Sequence, residues 1–381
     1  MKIKTITIFT ILTIIFLSIQ TALSEEIRFR KIDSKIIGLN SERITTLAFD
    51  NNNHLWICAS NQIIEYDGKK WIEHDEIFDQ IDCLKETKIG HCNTISDSSF
   101  YPTEIQISKN NHIWVSMQFG LVEYDRKKWK LYSREVDVRN FKIFPDDSNK
   151  EVERERVYEQ LVCFVIDDNN KVWTIFDDTI YTIIDGKYEK YYSIYNEGTK
   201  KGIPHKLRFR CMDVTYKFKH FNDEYLLLGT SWGIIKFNIK SKTLRNLTPP
   251  LIEQPFPVYS INTYDNETFW LITEEGIVRM KESRFNNDWT IFTKSDVFSS
   301  EENLEFRYFM KIFITPEYEK WLIVKNRTIG ELYKYNDDSV ELVFSLRNIT
   351  RDLSRSKINN VVLSNDNKFW LATDYGLFVS Y

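Results

Sequence analysis

Six histidines and five cysteines are the side chains here that could hold a metal or serve as base and nucleophile, so their spacing comes first. His54 and His112 each stand two residues before a tryptophan, Trp56 and Trp114. Elsewhere Lys171, Tyr225, Thr268, Glu319 and Lys368 occupy that slot. A slot that accepts so many chemistries belongs to a repeat's turn, not to a ligand set. His74, His91, His205 and His220 show no spacing of the His-Glu-x-x-His kind, and neither a Gly-x-Ser-x-Gly elbow nor a phosphate-binding loop occurs. The expectation is therefore no metal, no cofactor and no catalytic set. Cys58, Cys163 and Cys211 fall in apolar runs, where a thiol packs as a small hydrophobe. Cys83 and Cys92 share one long connection and could close a small loop in an oxidising compartment. An odd, irregularly spaced set argues against a disulfide framework or structural zinc.

The elements that would position these residues repeat. In the stretch 111–129 a polar turn leads into an apolar run holding Trp114, a second turn at Gly120, a run ending at Tyr124, and another turn before Trp129. The pattern recurs at seven anchors, Trp56, Trp114, Trp173, Leu227, Trp270, Trp321 and Trp370, separated by 43 to 59 residues. Six residues after four of them comes Gly120, Gly233, Gly276 or Gly376, suited to a turn with positive φ. Self-similarity at this period with four strand signals per unit predicts an all-β, seven-bladed β-propeller of four-stranded antiparallel blades. The seventh unit shows only three strands, and the run 27–32 is surplus at the start. That segment is expected to complete the last blade beside Phe378 and close the ring, removing its exposed edges. The anchors are expected to fill the space between blades.

Residues 1–24 differ from the rest. Lys2 and Lys4 precede a threonine-interrupted apolar run, and Ala22-Leu23-Ser24 resembles a cleavage site, which together read as a signal peptide. Residues 25–381 then form one propeller domain, exported to the periplasm or outside the cell, with no membrane span in the mature chain. Loss of the two leader lysines takes the formal charge from −4 to −6. Basic residues are scattered among acids, so no nucleic-acid partner is expected. Aromatics at 15% promise a large core rather than disorder. A monomer or weak oligomer is expected.

The order of turn, Leu-Trp-Ile, short turn, Gly-Leu and an aromatic resembles the two-component regulator propeller repeat. It is clearest in 112–124, 269–280 and 369–378, while Cys58 and Ser116 stand where that family places a glycine. The resemblance implies an extracytoplasmic sensor propeller. Family members continue into a β-domain, a membrane helix and a kinase; none is seen here, so signalling would need a separate partner. Similar propellers occur in polysaccharide and streptogramin lyases.

In such a ring the connections between second and third strands, and from one blade to the next, gather on one face around the channel. The first set contributes Phe119, Asp177, Asp178, Trp232, Glu274, Glu275, Lys325, Arg327, Asp374 and Tyr375 as candidate ligand contacts. Aromatics beside acids and amides suit sugar stacking and hydroxyl recognition. The second set holds three long excursions near 75–101, 133–159 and 192–206, which predict a cleft walled by blades 1 to 3. The alternating charges of 151–156 suggest a short helix. The leading expectation is a non-catalytic propeller binding a small ligand, glycan or protein. The rivals are a lyase or glycosidase with its site at the channel mouth, and an interaction scaffold.

Overall fold

The computed structural model describes residues 27–78, 102–117, 120–133, 135–137, 156–158, 161–176, 179–194, 209–214, 224–248, 257–263, 268–281, 288–298, 307–337, 339–349 and 356–381. Seven four-stranded antiparallel sheets form the predicted propeller. Blades 1 to 6 span 46–73, 104–133, 161–193, 209–246, 258–293 and 307–345, and blade 7 joins 358–380 to Phe29–Lys31. Closure follows the sequence reading, with Phe29 opposite Ser380, Arg30 opposite Val379 and Lys31 opposite Phe378. The Ile32 N–H donates to Leu377 O at 2.8 Å, and the Tyr381 N–H to Arg28 O at 2.9 Å. The leader and the Cys83–Cys92 segment lie outside the described residues.

Burial peaks in the second strands and falls toward both the channel and the outer edge, which explains the strand compositions. Second strands such as Leu55–Ala59 and Ile113–Met117 are buried at every residue, because a blade lies against each face. They therefore read as continuous apolar runs. The outermost strand Lys187–Ser193 is mostly exposed or half-buried and carries charges. Trp56, Trp114, Trp173, Leu227, Trp270 and Trp321 are buried, while Trp370 is half-buried.

Asp50 and Asp167, six residues before their anchors, accept the indole N–H of Trp56 at 3.0 Å and of Trp173 at 2.9 Å. Thr315 and Ser364 hold that place in blades 6 and 7, and their shorter side chains serve the turn backbone instead. The buried indole N–H groups of Trp321 and Trp370 have no partner among the described residues. On this lower face an asparagine three residues before the anchor takes a left-handed conformation, φ 62° at Asn53, 66° at Asn111 and 63° at Asn170. Each accepts a backbone N–H from the preceding blade: Asn365 to Asn53 at 3.4 Å, Asn51 to Asn111 at 2.9 Å and Asn110 to Asn170 at 3.1 Å. The turns thus lock blades 7, 1, 2 and 3 together.

On the opposite, upper face the second and third strands of blades 4, 5 and 7 meet in a Thr-x-x-Gly turn. The hydroxyls of Thr230, Thr273 and Thr373 donate to the carbonyls of Gly233, Gly276 and Gly376 at 2.8 to 3.0 Å. Gly233 and Gly376 have φ of 120° and 109°, as their positions in the repeat predicted. The second excursion supplies a two-stranded ribbon, Glu135–Asp137 with Arg156–Tyr158. Arg156 thus begins a strand where a short helix was expected; 151–155 lie outside the described residues.

Candidate functional site

Inner strands meet the upper face through a bulge. In blades 5, 6 and 7 the ladder skips Tyr259, Met310 and Asn359. A bulge re-aims the extra residue away from the ladder, and bulges gather where side chains serve a site. Blades 1 and 2 place Thr45 and Thr103 at the same level, each bonding through its backbone N–H to the second strand. Two sides of the rim thus differ. Trp232, Tyr259, Tyr308 and Met310, from blades 4 to 6, are 37 to 51% exposed, and Lys294 Nζ sits 4.7 Å over the Tyr308 ring.

Of the residues the sequence singled out, Trp232 lies in this arc, with Glu274 and Glu275 exposed in the neighbouring turn. Arg327 is exposed in a two-residue turn at φ 56°, whereas Lys325 belongs to the lengthened strand Lys320–Asn326. Asp374 is committed within the protein. It accepts from the Lys357 N–H and Asn359 Nδ2, both at 3.1 Å, and lies 3.5 Å from Arg43 Nε. Tyr375 is half-buried with its N–H on Thr373 Oγ1 at 3.0 Å. Phe119, Asp177, Asp178 and most of the three long excursions lie outside the described residues.

Below the rim the inner-strand residues at one level form a layer that sequence reasoning missed. Thr46, Glu104, Ser260, Lys311 and Asn360 each pair with the residue two beyond the anchor. Lys311 Nζ donates to Asn360 Oδ1 at 2.9 Å, and Asn360 Nδ2 donates onward to Thr46 Oγ1 at 3.2 Å. Gln106 Nε2 donates to Glu104 Oε1 at 2.9 Å. Burial in the wall pushes the Glu104 carboxyl above its ordinary range, opposed by the Gln106 bond and the charge of Lys311. The next layer down is apolar, with Leu47, Ile105, Phe164, Ile312 and Val361 buried. The lower mouth opens into a cavity of about 510 Å³ walled by Phe49, Ile107, Phe313, Ile314 and Leu363 from blades 1, 2, 6 and 7.

The three described histidines, His54, His74 and His112, stand away from the channel. His54 Nδ1 lies 2.6 Å from Glu65 Oε1 and His74 Nε2 lies 3.0 Å from Glu65 Oε2, all in the outer half of blade 1 facing blade 2. His112 and Glu123 repeat the first pair one blade later at 2.7 Å. The two positions, two before the anchor and nine after it, are diagonal neighbours on adjacent strands, hence within reach. Spotting glutamate at the second position would have revealed the pair from sequence. Asp50, His54 and Glu65 bring one ligand atom each within 4.8 Å of one another. A cation already serves this group: the Arg126 guanidinium bonds to Asp50, lies 3.7 Å from Glu65, and donates from Nε to Asn111 O at 2.9 Å. Burial works against ionising Asp50 and Glu65, but their hydrogen bonds outweigh it. Arg126 and Trp56 hold Asp50 below the usual carboxylate range, and His74 and His54 do so for Glu65. The donor set fits a clasp between blades, not an open coordination site.

No protein-family model matches the chain. No curated protein matches it in sequence. Solved structures do match in shape. The extracellular domain of a putative hybrid two-component system from B. thetaiotaomicron superposes with TM-score 0.58 at 14% identity, covering 93% of this chain and 39% of that one. A catalytically inactive virginiamycin B lyase from Staphylococcus aureus, in complex with quinupristin, gives TM-score 0.58 at 10% identity, covering 93% and 99%. PorZ, a surface component of the type-IX secretion system of Porphyromonas gingivalis, gives 0.53 at 13%, covering 89% and 46%. The extracellular domain of a two-component system and a lyase share this fold. The chain spans about two fifths of the length of that two-component-system extracellular domain, and identities this low establish architecture alone. Among the described residues no helix is long and apolar enough to cross a membrane.

Proposed function

We propose that this chain is an exported, non-catalytic binding propeller of the sensor type, taking a glycan or peptide across the upper mouth of its channel. The observation that carries the reading is the set of Trp232, Tyr259, Tyr308 and Met310, each exposed on blades 4 to 6, while blades 1 and 2 present threonines. Rings supply apolar area, and the neighbouring Glu274, Glu275 and Lys294 fix orientation through polar contacts. The three described histidines support a non-catalytic role, since none lies on an inner strand. Export rests on the leader sequence, and agrees with the extracellular setting of the structurally similar sensor domains.

A lyase-like reading draws on one observation, the Glu104 carboxyl pushed above its ordinary range inside the channel and so suited to proton transfer. Thermal-shift screening against neutral and acidic oligosaccharides and peptides separates the two. A ligand of the folded state raises the melting temperature. The binding reading expects such a rise, lost in Trp232→Ala, and the ligand recovered unchanged after overnight incubation. Ligand breakdown that disappears in Glu104→Gln would replace it with the enzyme reading.

A further inference from the structure

The groove between blades 5 and 6 on the lower face carries a second inference, independent of the upper mouth. It encloses about 400 Å³, within the range of small-ligand sites, and is lined by Trp270, Arg279, Lys281, Asp288, Tyr318 and Lys320 among others. We propose that it binds a ring-sized ligand bearing a carboxylate or sulfate group, such as a uronic-acid or sulfated sugar residue.

Charge is the first ground. In blades 1, 2 and 6 the residue two before the anchor pairs with the residue opposite the anchor on the third strand: His54 with Glu65, His112 with Glu123, and Glu319 with Lys334. Blades 3 and 7 hold Lys171 with Thr182 and Lys368 with Val379, and the lysines turn instead to the Trp173 ring and to Asp366. Blade 4 meets the same need with a cation over a ring, Lys236 Nζ standing 3.9 Å from the Tyr225 centroid. In blade 5 the two positions hold Thr268 and Arg279, and threonine brings no charge. Arg279 Nη2 donates to Thr290 Oγ1 at 3.1 Å and its guanidinium lies 6.0 Å from the Phe292 centroid, with no carboxylate partner among the described residues. Lys281 is exposed beside it, whereas Lys320 is balanced by Asp337 at 3.1 Å. With Lys320 paired to Asp337 and Lys281 opposite Asp288 on the ladder, Arg279 is the lining cation left without an acid among the described residues, and its planar guanidinium suits the two oxygens of a carboxylate or sulfate.

Backbone strain is the second ground. Tyr318 occupies the turn position that blades 1, 2, 3 and 7 give to asparagine, and it takes the same left-handed conformation at φ 67°. Asparagine tolerates that region readily, but a bulky aromatic does so at a cost. The exchange puts a ring, 55% exposed, on the groove's wall where it can cover the face of a sugar.

Calorimetric titration of the whole chain with trigalacturonate, a sulfated chondroitin disaccharide, inorganic sulfate and maltotriose tests the proposal. At least one acidic sugar should bind, more weakly as salt rises, with maltotriose silent at this site. Arg279→Gln should weaken that binding about ten-fold or more, as expected for loss of a charge-assisted bidentate contact. Lys281→Gln should weaken it less and serves if the first variant misfolds. Tyr318→Asn should weaken it several-fold without lowering the melting temperature, since the new residue suits the backbone. Trp232→Ala should leave it unchanged, which separates this site from the upper mouth. Absence of binding by both acidic sugars, or binding indifferent to Arg279→Gln and Lys281→Gln in folded protein, would overturn the proposal. Sulfate binding as tightly as the sugars, with Tyr318→Asn silent, would overturn the ring-bearing ligand.

Discussion

The interface between blades 1 and 2 and the groove between blades 5 and 6 are built from the same repeat positions, filled to opposite effect. In the first, Asp50, His54, Glu65, His74 and Arg126 close on one another, with Trp56 stacked on His74 at 4.8 Å and Tyr124 tilted at 5.8 Å. The charges are spent inside the protein. In the second, the equivalent positions hold a threonine and an arginine, and the turn asparagine has become an exposed tyrosine. Histidine beside carboxylate would ordinarily suggest chemistry, yet here it marks the sealed interface. The blade 5 slot has no such pair and stands open. A repeat therefore gives its own internal standard: a deviation gains meaning from what the other blades place at that point.

The largest effect should come from opening the sealed side. Glu65→Ala leaves two histidines and Arg126 facing a buried gap, and removing one member of a buried ion network costs about 3 kcal/mol. Denaturant unfolding would measure this, and a loss below about 1 kcal/mol would mean the clasp is ornamental. The pH dependence sharpens the point. Because Glu65 is held below its ordinary value of 4.5, its contribution is fully present above that pH and is lost as pH falls toward the folded-state value. Glu65→Gln should therefore be less stable than the parent at pH 7 and converge with it in acid.

Glu104 should behave in the reverse sense. Burial raises its pKa from 4.5, so wild-type stability falls as pH rises from that value through the raised one. Glu104→Gln should then gain about 1 kcal/mol at neutral pH, with no gain well below pH 4.5. Melting curves across pH would show it, and a destabilised variant at neutral pH would point to a net favourable pairing with Lys311. The smallest effect belongs to the open groove. Thr268→Glu gives blade 5 the acid partner that Glu319 provides in blade 6, and should add only about 0.5 kcal/mol, as exposed pairs do. Its consequence for binding is larger, because the new carboxylate should displace an acidic sugar from Arg279. Retained affinity would break the analogy between the two interfaces.

The sequence made the ring legible because a propeller uses one solution repeatedly. A tryptophan buried between blades, a glycine where φ turns positive and a first strand that completes the last blade all leave fixed spacings. The site was legible only in part. Trp232 could be placed, since its turn follows the anchor at fixed distance. Tyr259 and Met310 could not, because each is the extra residue of a bulge in an inner strand, after connections whose length varies from blade to blade; Glu104 fell at the start of an inner strand in both readings, but its place in a polar layer depends on the neighbouring blades. His54 and His112 were read as turn residues, and that is where they stand. What escaped notice was Glu65 and Glu123 across the strand, which make them half of a clasp. The asparagines of the lower turns were seen as turn formers, but their reach to the next blade depends on a curvature that no single repeat encodes.

The central claim is that the upper mouth binds and the histidine-bearing interface only holds the ring together. Hydrogen exchange on the whole chain, with and without a saturating ligand from the thermal-shift screen, tests it most directly. The account predicts added protection across 231–233, 257–260 and 307–311, with none in 54–74 and the ligand chemically intact. Protection centred on 54–74, or ligand recovered cleaved, would contradict it.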